Sequence, residues 1–272
     1  MCLVAFCIEP GARFPFVLAA NRDEFFNRPA APMAWWDGIT LPRILAGRDL
    51  DAGGTWLGLS DTARLALLTN IRNPREHRPD AASRGALIPA CLRHTDGFEA
   101  FFAEHDLHPY NGFNLVGFDF ARGEHHVVST LQPTPHLLPP GCYGLSNASL
   151  DIPWPKVQAL KQALAAAVRW SAKADAEWLI AQLLHALADE RTADDARLPS
   201  TGVPLDIERA LSAAHVRLPG GHYGTRCATV IVSEQAGSGG ITTTVIERSF
   251  QPSGEWAQQR FVLDGWPAAG PR

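Results

Sequence analysis

The sequence predicts an α+β fold whose antiparallel sheets take up both ends of the chain. Three observations predict it. Short apolar runs come in pairs separated by turn residues. Helical periodicity is confined to the middle of the chain. Strand patterns then return near the C-terminus, so the terminal strands meet in space.

CLVAFCI (2–8) and FVLAANRD (16–23) flank EPGARFP, whose proline and glycine suit a turn, and predict an N-terminal hairpin. WLGLSDTARLALLTN (56–70) repeats the pattern around Ser60-Asp61, and GFNLVGFDF (112–120) with HHVVSTL (125–131) repeats it around Ala121-Arg122-Gly123. CATVIVS (227–233) and ITTTVIERSF (241–250) flank GSGG, and WAQQRFVLD (256–264) adds a last strand. Ser83 is placed to cap a helix through ALIPACLRH, with Pro89 as a kink or break, and GFEAFFAEH gives a short second helix. From Pro155 to about Glu190, apolar residues fall at helical spacing at Val157, Leu160, Leu164 and Val168, then at Leu179, Leu183 and Leu187. Ser171 and Asp175 mark the break between those two helices. TLQPTPHLLPPG and the stretch near RLPSTG read as loops.

The 272 residues, 46% of them hydrophobic, are enough for one substantial core, and the chain is read as a single domain over 1–272. A net charge of -4 gives no reason to expect nucleic acid. No apolar stretch approaches the ~20 residues of a membrane span. The five cysteines are scattered without a C-x-x-C pair, so neither a disulfide framework nor a metal site is expected, and a cytoplasmic setting fits. DLDAGGTW opens like a calcium loop but has Gly53 at its fifth position and Ser60 at its twelfth; it reads as a tight turn before a strand.

Cys2 directly follows Met1. Removal of Met1 would put a thiol and an α-amine on one residue, and an amine titrating near ~7.7–8.0 can serve as its base. A small hydrophobe at the start of a strand is the other reading. The second strand ends in Asn21-Arg22-Asp23-Glu24, and a short hairpin brings that end beside Cys2. A guanidinium there favours thiolate, and a carboxylate can hold the amine. Arg22 and Asp23 are adjacent, however, and neighbouring strand residues point to opposite faces, so Asp23 is the more exposed to doubt. Asn70 ends another strand and offers a polar donor. Trp56 reads as core or as pocket wall.

The MC start, NRDEFFNRP, AGRDLDAGGTWLGLS (46–60), LLTNIR (67–72), YGLSNASLDIPWPKV (143–157) and HYGTRCATVIV (222–232) together resemble the NRDE family, also called the transport and Golgi organisation protein 2 family. That family is similar to cysteine-type N-terminal-nucleophile hydrolases. The resemblance implies an αββα sandwich and a hydrolase of a non-peptide amide or acyl bond that needs no cofactor. It implies Cys2 as nucleophile and Arg22, Asp23, Asn147 and Arg226 as its catalytic companions; Asn21, Asn70 and Trp56 are read as lying at the substrate. It also implies an alternative: a non-catalytic carrier of haem or an acyl lipid such as acyl-CoA, since the family is implicated in haem trafficking. The ten histidines are dispersed, and no haem-attachment motif is present. The small-molecule partner and the oligomeric state are left open.

Overall fold

The computed structural model describes residues 2–36, 41–171, 175–235 and 239–267. Among them, the first hairpin is β1 (Cys2–Ile8) and β2 (Phe16–Phe25), followed by β3 (Ala30–Trp35), β4 (Ile44–Asp49), β5 (Leu57–Ser60) and β6 (Arg64–Asn70). Next come α1 (Leu87–Arg93), α2 (Phe98–Glu104), β7 (Phe113–Asp119), β8 (Glu124–Ser129), β9 (Gln132–Leu137) and β10 (Gly141–Leu145). The helices α3 (Pro155–Trp170), α4 (Ala176–Leu187) and α5 (Leu205–Ala210) precede β11 (Tyr223–Gln235), β12 (Ile241–Phe250) and β13 (Trp256–Asp264).

Two antiparallel sheets result, ordered β10-β1-β2-β11-β12-β13 and β3-β4-β5-β6-β7-β8-β9. Strand alternation fixes how they pack. Even-numbered residues of β1 and β2, including Val4, Phe6, Phe16 and Leu18, meet Leu57, Leu65, Leu67 and Phe118 between the sheets. Odd-numbered Leu3, Ala5, Val17 and Ala19 turn outward under Leu160 and Leu164 of α3 and Leu183 and Leu187 of α4. Helices α1 and α2 cover the other sheet through Ile88 and Phe101. Each such Leu or Phe contributes on the order of 1.5–3 kcal/mol by leaving water. The αββα sandwich therefore follows from two alternating faces per sheet, each needing cover. No helix among the described residues is long and apolar enough to cross a membrane.

The predicted strands and helices all appear, and Asp175 caps α4 by accepting the Trp178 N–H at 2.8 Å. Several elements depart from expectation. The loop proposed over 130–141 holds β9, with β10 starting at its last residue, and the stretch after RLPSTG holds α5. Pro133 and Pro135 discouraged a strand, but β9 is an edge strand, where a residue lacking an N–H costs least. Strand β3 tolerates Pro32 for the same reason and bulges between Ala31 and Ala34. Ser83 flanks a 3₁₀ turn (Arg84–Ala86) without making a side-chain cap, and Pro89 falls in the first turn of α1, where no helical donor is lost. The expectation of no disulfide is corrected: β1–β10 register sets Cys7 directly across from Cys142, and the two are bonded. A separation of 135 residues hid that pairing from the spacing argument.

Candidate active site

The thiol's surroundings begin with the first hairpin. Its register pairs Cys2 with Arg22, and both belong to the face between the sheets. Cys2 lies on the wall of a cavity of about 300 Å³ that Arg22, Arg28, Asp49, Trp56 and Asn70 also line. The Cys2 carbonyl accepts a hydrogen bond from the Ser146 hydroxyl at 2.8 Å, which ties the strand start to the segment leaving β10. Burial raises the Cys2 thiol above its ordinary range and the Asp23 carboxylate adds to this, while the nearby Arg22 guanidinium only partly offsets it. The expected cationic activation is thus outweighed by desolvation, and the thiol needs a base.

Arg22 is held on three sides. Its guanidinium lies over the Trp56 ring, 4.3 Å from the centroid, and its Nη2 is 3.3 Å from Asp49 Oδ2 and 3.6 Å from Glu24 Oε2. Trp56 rests in turn on Gly47, where a Cβ would come within 2.5 Å of the ring. Asp49 also takes Arg28 Nε at 2.6 Å and the backbone N–H groups of Asp51 and Ala52 at 3.1 and 3.0 Å. Burial pushes the Asp49 carboxyl up, but these bonds win and hold it below the usual carboxylate range. The glycine pair after it has two separate tasks. Gly53 adopts φ +74°, and Gly54 lies so close to Gly85 that a Cβ would be 2.3 Å from its carbonyl carbon. That contact brings the Arg84 turn over the cavity, which Arg84 lines while donating to the Gly112 carbonyl at 3.0 Å.

Asp49→Asn keeps the shape but removes the charge shared by two arginines. We expect it to lower unfolding free energy by about 1–3 kcal/mol, read from urea denaturation. An unchanged midpoint would show that Arg22 is held by Trp56 and Glu24 alone.

The other expected site residues divide by face. Asn21 is corrected from substrate contact to structural tie: its Nδ2 donates to the Leu187 and Ala214 carbonyls, both at 2.8 Å, on the helix side of the sheet. Asp23 shares that parity but also lines the Cys2 cavity. Its carboxylate accepts from the Thr225 hydroxyl at 2.8 Å and lies 4.0 Å from Lys156 Nζ of α3. Lys156, which sequence reasoning missed, is fully enclosed; burial brings its ammonium down to about 8, with Asp23 pulling the other way. Asn147 is buried, receives the Ser146 hydroxyl at 3.2 Å, and donates through Nδ2 to the Asn70 carbonyl at 2.8 Å. It fastens the ends of β10 and β6 together, while Asn70 itself borders the thiol cavity.

Arg226 occupies the bulge between Thr225 and Cys227, where β11 slips register against β2. Its Nη1 donates to the carbonyls of Phe25, Phe26 and Arg28, closing the turn after β2. It lines a neighbouring depression and not the Cys2 cavity. Asp49, Arg28, Arg84 and Lys156 were the functional-site neighbours that sequence reasoning did not single out. The AGRDLDAGGTW motif carried a signal for Asp49, but only as a turn.

A sandwich of two antiparallel sheets between helices, with a cysteine opening the first strand, defines the class: the N-terminal-nucleophile hydrolase fold. Solved structures of that class match it. A Caenorhabditis elegans ortholog of N-acylethanolamine-hydrolyzing acid amidase superposes with a TM-score of 0.50 and 12% identity, covering 85% of this chain and 92% of that one. A mutant conjugated bile acid hydrolase from Clostridium perfringens gives 0.50 and 9%, covering 96% and 92%. At these identities the likeness is one of fold. The chain belongs to the Transport and Golgi organisation 2 family, whose model matches residues 1–252. The mouse Transport and Golgi organization 2 homolog is 35% identical over 269 residues, covering 92% of this chain and 93% of that protein. The human homolog gives the same figures, and the Drosophila melanogaster protein is 27% identical over 289 residues.

Proposed function

We propose that this protein is a thiol hydrolase of a small-molecule amide or acyl bond. The observation that carries the reading is Cys2 at the start of β1, opening onto a cavity and paired with Arg22. Two structural neighbours bear names of small-molecule amidases, which supports an amide as the substrate.

Removal of Met1 frees the Cys2 α-amine. The amine takes the Sγ proton, and sulfur attacks the carbonyl carbon as the C=O electron pair moves to oxygen. The Asn70 side chain serves the oxyanion, with Asn147 fixing the Asn70 backbone beneath it. Collapse breaks the C–N bond, the ammonium gives its proton to the leaving amine, and an acyl thioester remains on Cys2. Water then attacks that thioester with the amine as base, releasing the acid and the thiol. Because burial disfavours the thiolate, the adjacent amine is the group that makes attack practicable near neutral pH.

The carrier reading has its own support. Arg22, Arg28, Arg78 and Arg84 line one cavity with Asp23, Glu24 and Asp49, and the excess of guanidinium suits the carboxylates of haem or the anionic groups of an acyl-CoA.

An activated acyl ester should leave its acyl mass on the Cys2 peptide; stoichiometric acylation elsewhere, with none at Cys2, would remove the nucleophile from the mechanism. Intact mass should show loss of Met1. Brief iodoacetamide treatment should label Cys2 before Cys91 or Cys227, all three of them free and buried, because only Cys2 borders the larger opening. Faster labelling of Cys91, which is 0% exposed, would contradict the proposed accessibility.

A further inference from the structure

Beside the Cys2 cavity, and sharing Arg22 and Trp56 with it, is a second depression of about 150 Å³. Pro32, Gln251 and Ala257 are exposed at its rim, while Glu247 and Cys227 are buried in its floor. Four of its lining residues carry a buried side-chain atom with no hydrogen-bond partner, Arg22 Nη1, Arg226 Nε, Glu247 Oε2 and Gln259 Oε1, although the Cys227 thiol and the Ser249 hydroxyl lie beside the Glu247 carboxyl. Buried polar atoms are almost always partnered, so four around one small space call for a common explanation. Three of these side chains are already anchored by another atom. Arg22 is held by Asp49, Arg226 by three carbonyls, and Glu247 Oε1 accepts the Met33 N–H at 2.6 Å. These anchors hold the side chains in place, and a group that enters the depression can supply the missing partners.

We propose that this depression is a binding site for a small neutral dipolar group, a primary carboxamide or a urea. The oxygen of such a group accepts from the two arginine N–H groups, and its NH₂ donates to Glu247 and Gln259. Net charge of either sign is disfavoured. A cation meets two guanidinium groups, and an anion meets the Glu247 carboxylate once the pH is above about 7, the value to which burial raises that carboxyl, so the probes are compared at about pH 8.5. The volume is about that of five waters in the liquid, room for a few heavy atoms, and Trp56, Phe250 and Pro32 offer apolar walls to the rest of the molecule. The site goes beyond the hydrolase reading, since none of its proposed contacts requires Cys2.

The test uses acetamide and urea as probes, titrated into the full-length protein and followed by saturation-transfer NMR. Acetate and methylammonium serve as charged probes of similar size. Saturable binding in the millimolar range is expected for the neutral probes, the affinity that a four-atom ligand can reach. Gln259→Leu should weaken it by about 3- to 10-fold through loss of one acceptor. Ala257→Trp, at an exposed position on the rim, should abolish it by filling the mouth while leaving Gln259 in place. Two results would overturn the proposal: neutral probes that fail to saturate, meaning that ordered waters alone fill the space, or acetate and methylammonium that bind as tightly as acetamide. Binding that survives Ala257→Trp in a protein with a wild-type melting transition would place the ligand elsewhere.

Discussion

Cys2→Ala is expected to lower turnover of an amide or acyl substrate by about 10⁴-fold or more, because the sulfur carries the acyl group between the two half-reactions. The fold should survive. Cys2 sits at the start of a strand whose deeper residues, Val4, Phe6 and Ile8, carry the inter-sheet packing, so losing one sulfur removes little contact. Cys2→Ser keeps the amine and the shape with a poorer nucleophile and should retain a small rate. The same variants separate hydrolase from carrier. If the cavity only carries an anionic ligand, haem or acyl-CoA affinity should persist in Cys2→Ala and fall in Arg22→Ala and Arg84→Ala, whose side chains line the cavity. Arg226 is the weaker choice for that test, since its guanidinium is spent on three backbone carbonyls. Undiminished hydrolysis by Cys2→Ala would end the nucleophile assignment.

What could be read from the sequence depended on how local each relation is. Cys2 and Arg22 are joined by one hairpin, and a hairpin with a short turn fixes its own register, so their pairing followed from 22 residues of sequence. Alternation set Asp23 opposite to Arg22, and its carboxylate does accept from Thr225 and approach Lys156, yet Asp23 still borders the Cys2 cavity. The same alternation, applied one residue earlier, would have sent Asn21 to the helix layer; its place in the motif masked that. The groups that were missed come from distant segments. Arg84 reaches the cavity because Gly54 and Gly85 pack backbone to backbone, and Lys156 arrives on a helix laid over the sheet. Neither relation leaves a periodic trace. Edge strands were the other blind spot: β9 carries two prolines, which argue against a central strand but not against the strand that ends a sheet.

The largest loss of stability is expected at a pair outside the cavity that holds the site together. Arg72 and Glu208 are 5% and 3% exposed, with Arg72 Nη1 2.6 Å from Glu208 Oε2. Glu208 also accepts the Thr201 N–H at 2.8 Å and the Thr201 hydroxyl, and the Arg72 guanidinium lies 4.9 Å from the Trp154 ring centroid. Two residues before Arg72, Asn70 ends β6, and the Arg72 N–H donates to the Asn147 carbonyl at 2.9 Å. The ion pair therefore anchors the same crossing that Asn147 makes with Asn70. Arg72→Met keeps most of the volume and leaves a buried carboxylate without its counter-charge. We expect about 3–5 kcal/mol of destabilisation, a fall in melting temperature on the order of 10 °C. The double variant Arg72→Met/Glu208→Leu should recover a substantial part of that, because no charge is then stranded, although the Thr201 hydrogen bonds are lost. If Arg72→Met melts within about 1 °C of wild type, the carboxylate must be reached by water or take up a proton at little cost, and the pair does not anchor the crossing. If the single and double variants lose stability equally, the loss comes from the Arg72 contact with Trp154 and not from the stranded charge.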